Sequence, residues 1–170
     1  MRSADTVVDA FGRIREAVHE VVAGLGPDEL AVRLDGEANS IAWLVWHLTR
    51  IQDDHVADLA GTEQAWTEQG WINRFRLPFD SAATGYGQDP DEVAAVRASA
   101  EELTGYHDAV HRRTVAYVEG LRDDDLDRVV DERWDPPVTL GVRLVSVIAD
   151  DLQHVGQAAL LRGIVERRGR

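Results

Sequence analysis

The chain contains neither cysteine nor lysine among its 170 residues. Without cysteine there are no disulfides and no thiolate ligands, so any metal must be held by imidazole and carboxylate. Without lysine, Schiff-base chemistry on the chain's own amine is excluded; all 18 basic residues are arginine. No run reaches the roughly 18 uninterrupted apolar residues of a membrane span. The N-terminus, Met1-Arg2-Ser3-Ala4-Asp5, lacks a signal-peptide core. The expectation is a cytoplasmic protein with no membrane partner. Positive charge is also scarce. With 31 acidic residues against 18 arginines the net charge is −13, a field that repels phosphate backbones. Nucleic acid is therefore not an expected partner. The one arginine cluster, Arg162, Arg167, Arg168 and Arg170, suits the C-terminal end of a helix.

What remains is ordinary for a folded protein: 44% hydrophobic and 29% charged residues, enough for one domain over residues 1–170 with a sizeable core. Val7, Phe11, Ile14, Val18, Val21 and Leu25 recur at three- and four-residue steps and predict an amphipathic first helix from about 4 to 25. Asn39 or Ser40 can cap a second helix carrying Ile41, Leu44, Leu48, Ile51 and Leu59, which Gly61 closes. Residues 61–89 form a long aromatic connection, read as a short helix from Glu63 to about Phe75 and an irregular return. Pro90 opens a third helix, whose seam runs from Val93 through Leu103 and His107 to Leu121. Trp134-Asp135-Pro136-Pro137 interrupts the chain before a fourth helix, capped by Thr139 and running to about Arg167. No strand is expected. The fold class is all-α, a four-helix bundle, and the long connection between helices two and three permits an up-down-down-up topology.

The last helix is nearly all apolar, yet Asp150, Asp151 and His154 stand at its centre. Charge inside a buried helix is costly unless it is paired or metal-bound. Asp150 and His154, four apart, lie on one face and can point at one atom. His47 in helix two can face them across the core, and two imidazoles with one carboxylate leave open positions for water or substrate. Asp53, Asp54 and His55, further along helix two, are alternatives, and His55 lies on the seam as another inward histidine. One helix step is about 100°, so only one of Asp150 and Asp151 can occupy the ligand position. Helix three also contains His107-Asp108-Ala109-Val110-His111. Aspartate there is too short to serve as the base of a zinc-protease motif, and Arg112 and Arg113 repel a cation. A core His107 and a surface His111 are expected instead.

The run Ser40-Ile41-Ala42-Trp43-Leu44-Val45-Trp46-His47-Leu48, with Asp150-x-x-x-His154-Val155-Gly156-Gln157, resembles the DinB-like metalloprotein superfamily over essentially the whole chain. That superfamily includes mycothiol-dependent maleylpyruvate isomerases and bacillithiol-related transferases. The resemblance implies His47, Asp150 and His154 as ligands of a divalent metal, zinc foremost and nickel second. Aspartate at 150 matches the carboxylate of the mycothiol-dependent isomerases, one methylene shorter than their glutamate. It further implies a low-molecular-weight thiol activated at an open metal position and a small electrophilic substrate, hence a transferase or isomerase. The nucleophile is then a metal-bound water or thiol rather than a side chain. Asp151 and Gln157 are expected to orient the ligands through hydrogen bonds. Arg74 and Arg76, with Trp71, are weaker candidates for holding a substrate carboxylate. The alternative is a non-catalytic metal- or ligand-binding bundle, with apolar helix faces suited to a homodimer.

Overall fold

Ser40 sets the start of the helix on which the site is built. Its hydroxyl accepts the Trp43 amide at 3.1 Å, satisfying a donor that the first turn would otherwise leave bare. The helix, α3, runs Ile41–Ala60 and ends where Gly61 turns left-handed, with φ 66°. Ile41-Ala42-Trp43-Leu44-Val45-Trp46 has no polar side to offer solvent, and every residue from 41 to 50 is buried.

The computed structural model describes residues 1–168; of the C-terminal arginine cluster, Arg170 lies outside them. Four long helices dominate: α1 (Ser3–Val22), α3, α7 (Ala100–Glu119) and α8 (Leu140–Arg168). Each of α1 and α3 packs against both α7 and α8. A short helix, α2 (Pro27–Leu30), links α1 to α3. The structure is mostly helical, as expected, and no helix among the described residues is long and apolar enough to cross a membrane.

Three departures from the sequence reading have local causes. The short helix of the crossover is two, α4 (Ala65–Glu68) and α5 (Trp71–Phe75), divided at Gly70 with φ 71°. The third predicted helix is also two, α6 (Pro90–Ala95) and α7. Between them Val96 is extended and Ser99 begins a new helix: its hydroxyl accepts the Glu102 amide at 3.1 Å, and Glu102 returns a bond to the Ser99 amide at 2.8 Å. Residues around the prolines form a small antiparallel hairpin, β1 (Val129–Asp131) with β2 (Val138–Thr139). Strands of three and two residues are too short to leave an alternation in the sequence.

His107 is a core residue, as expected, whereas His111 is half-buried rather than exposed. The Thr49 hydroxyl donates to the Val45 carbonyl at 2.7 Å, so it accepts from His107 Nδ1 at 3.1 Å. Burial first, and then the charge of His111, push the His107 pKa down to about 3. Between pH 6.5 and about 3 the unfolded chain takes up a proton that the folded chain refuses, so stability is lost as pH falls through that window. A His107→Gln variant should lose roughly 2 kcal/mol less than wild type between pH 7 and pH 5. Urea denaturation at the two pH values measures it, and equal losses would dismiss His107 as the cause.

Candidate metal centre

α3 and α8 bring His47, Asp150 and His154 together: one ligand atom from each lies within 4.8 Å of the other two. The imidazoles meet edge to face, with centroids 4.6 Å apart. Both ring orientations are set by backbone. His47 Nδ1 lies 2.6 Å from the Thr84 carbonyl, and His154 Nδ1 lies 2.8 Å from the Asp150 carbonyl. A carbonyl only accepts, so each Nδ1 carries the proton and each Nε2 presents a lone pair, the tautomer a metal needs. Asp150 Oδ2 is buried and makes no hydrogen bond among the described residues. It does lie 3.2 Å from His154 Nδ1, a contact too poorly aligned to be a hydrogen bond. A carboxylate oxygen without a hydrogen bond, in a group that brings one ligand atom from each of two imidazoles within 4.8 Å, is a donor set suited to a divalent metal with open positions.

The electrostatics fit a cation. Burial lowers the His47 pKa, against the opposing effect of Thr84, and keeps the ring neutral. Burial pushes the Asp150 carboxyl upward, but its contact with His154 and the nearby histidines together outweigh that and hold it below the usual value. The same contact, helped by the Asp150 carbonyl, outweighs burial and raises His154, so the carboxylate draws positive charge to this ring. A metal would supply that charge in place of the proton.

The wall behind His47 is made by the crossover. Trp43 stacks on the imidazole at 4.6 Å and 12°, and its indole N–H donates to Gln88 Oε1 at 2.8 Å. Gly85, at φ 96°, comes so close that a Cβ there would sit 2.6 Å from His47 Nδ1. Arg50, fully buried, holds this segment by donating to the carbonyls of Ala83 at 3.0 Å and Ser81 at 3.5 Å. Asp53 pins the other end of the crossover, accepting the Ala65 and Trp66 amides at 2.9 and 2.8 Å and the Tyr106 hydroxyl at 2.8 Å. Arginine is rarely so buried, so Arg50 does not stand out in the sequence, whereas Asp53 is among the alternatives it offers on helix two.

The remaining sequence candidates fall elsewhere. Asp151 is fully buried on the core stripe of α8 with Leu144, Val147, Val155 and Ala158, and neither oxygen has a partner among the described residues. Gln157 is exposed. Arg74 lies over the Trp71 ring at 4.3 Å, and with Arg76 both line a cavity of about 800 Å³ that includes none of the three ligands. Asp150 instead borders a cleft of about 520 Å³ whose lining includes His55, Arg143, Arg133 and Trp134. His55 and Trp134 are visible in the sequence as a helix-two alternative and a break before the last helix, whereas nothing in the sequence marks Arg143 or Arg133.

The family model described as Mycothiol-S-transferase matches residues 6–167. Among solved structures, a conserved protein of Enterococcus faecalis is similar, with 30% identity over 97% of this chain and 98% of that one and a TM-score of 0.91. No curated protein matches the chain.

Proposed function

Because the chain belongs to the mycothiol S-transferase family within the DinB-like superfamily, we propose that it joins a low-molecular-weight thiol of the mycothiol kind to a small electrophile at a divalent metal held by His47, Asp150 and His154. Zinc is the metal of choice for two imidazoles and a carboxylate. The observation that carries this reading is the convergence of three ligand atoms within 4.8 Å, each imidazole already turned by a backbone carbonyl to offer Nε2. When bound, such an ion would lower the pKa of a coordinated thiol and make it nucleophilic near neutral pH. The chain's own residues do the rest. Thr84 and the Asp150 carbonyl fix the tautomers, Trp43 and Gly85 keep water from the back of His47, and the cleft beside Asp150 receives the electrophile.

The geometry of the bundle supports this division of labour. We read α1, α3, α7 and α8 as an up-down-down-up bundle forming one domain over residues 1–170. Arg2 reaches the Glu119 carbonyl while Arg15 meets Asp108, so α1 and α7 oppose one another. Thr49 meets His107 and Gln52 meets Thr114, which sets α3 and α7 running together. His55 meets Arg143 while His47 meets His154, so α3 and α8 run oppositely. Parallel α3 and α7 require a crossover along the bundle, and its return passes the metal centre at Thr84 and Gly85.

Elemental analysis of untagged protein tests the reading. We expect near-stoichiometric zinc in wild type and less than a tenth as much in Asp150→Ala and His154→Ala. Wild type that holds no zinc after being offered it would remove the nucleophile and with it the transferase.

A further inference from the structure

The cleft beside Asp150 has a second polar end. Arg143 lies seven residues before Asp150 on α8, about 10 Å of helix rise and nearly the same face. Its side chain is only 19% exposed, and the guanidinium is clamped on both sides, donating to His55 Nδ1 at 3.1 Å and to Asp131 Oδ2 at 3.0 Å. Asp131 has other partners of its own: Arg133 donates to it through its backbone amide, Nε and a terminal nitrogen at 2.8 to 3.0 Å. Arg143 thus commits two of its five N–H groups, and the other three make no hydrogen bond among the described residues.

The same clamp decides what His55 can do. A guanidinium only donates, so His55 Nδ1 is the unprotonated nitrogen and its proton sits on Nε2. Burial and the Arg143 charge lower the pKa of the ring and keep it neutral. Nε2 has no partner among the described residues. An N–H donor and a guanidinium therefore stand together in a cleft that Asp150, one of the three candidate ligands, also lines. Trp134 and Tyr86, 65% and 90% exposed, line the same cleft together with Val138 and Val147.

We propose that His55 and Arg143 form a recognition site for a carboxylate carried by the electrophile, about 10 Å from its reacting atom. Planar donors suit a planar acceptor pair. Asp131 and Asp150 line the same cleft, which favours a singly charged anion over a dianionic phosphate. The 10 Å span rests on the metal reading above; the carboxylate site does not.

The first test uses metal-free protein and hexanoate as probe, following the His55 side-chain N–H by nitrogen–proton NMR. A saturable shift is expected in wild type, with affinity about tenfold weaker in Arg143→Met and in a second variant, His55→Phe, followed by calorimetry. The His55→Phe change leaves the Arg143–Asp131 pair in place, so it decides the matter if Arg143→Met does not fold. No shift at His55, or unchanged affinity in a folded variant, overturns the proposal. In zinc-loaded protein, decanedioate should bind more tightly than butanedioate, and equal binding would overturn the span. Failure to take up zinc would sink the transferase reading while leaving the hexanoate result to stand.

Discussion

Gly85→Ala should cost the candidate centre its affinity for zinc before it costs the fold. Two penalties meet at this position. The backbone sits at φ 96°, where an L side chain is strained. The added Cβ would also lie 2.6 Å from His47 Nδ1 and 3.1 Å from the Trp46 ring. Neither neighbour can yield easily, because Trp46 is buried in the core and His47 is stacked on Trp43. Relief must come from moving residues 84–86 outward, and that withdraws the Thr84 carbonyl from His47. Loss of such an orienting partner lowers metal affinity by about 10- to 100-fold, and strain with steric displacement destabilises by about 2–4 kcal/mol. Gly87→Ala is the matched control. Its φ is 73° and nothing stands within 4 Å of a Cβ there, so it should show about 1 kcal/mol of backbone strain and unchanged zinc affinity. Zinc titration and thermal melts of the two variants give the comparison; equal zinc affinity in both would mean that Thr84 does not orient the ligand.

A second large effect has the opposite sign. Asp151→Val should stabilise the metal-free protein. The Asp151 carboxyl is fully buried, and neither oxygen is hydrogen-bonded among the described residues. Burial first, and then the charge of Asp150, raise its pKa well above the ordinary carboxylate value. In the unfolded chain the group ionises near 3.8. Above that pH the folded state holds a proton that the unfolded state releases, so stability declines as pH rises. Valine continues the stripe of Val147 and Val155 and removes both the ionisation cost and the orphaned oxygens. The gain should be about 2–4 kcal/mol at pH 8 and smaller at pH 4. Asp151→Asn, which removes only the ionisation, should flatten the same pH dependence. A lower melting temperature for Asp151→Val at pH 8 would show that the carboxyl has a favourable role that the packing does not reveal.

Where the sequence was readable, the signals were local and redundant. Ser40 and Gly61 bracket α3 because a cap and a left-handed glycine each leave their mark at one position. Asp150 and His154 were legible because carboxylate and imidazole four apart on an apolar helix need a common cause. The break between α6 and α7 was written in Ser99 and Glu102, but the apolar seam from Val93 to Leu103 runs on in step and masks it. Arg143 could not be read at all. Its meaning depends on Asp131, twelve residues away in a hairpin too short to predict, and on His55 from another helix. Arg74 and Arg76 drew attention because they sit among aromatics in sequence, whereas the structure gives that neighbourhood to a different cavity. Periodicity reports which residues are inside; it carries no information on which buried polar groups meet.

The stack of Trp43 on His47 means that the site comes with its own optical reporter. An indole within contact distance of an imidazole is quenched more strongly when that ring is electron-poor, and a ring that burial keeps neutral becomes electron-poor by binding a metal rather than a proton. Emission from Trp43 would therefore follow the occupancy of the centre without any label, and Trp43→Phe would silence that signal while leaving the light of the other four tryptophans unchanged.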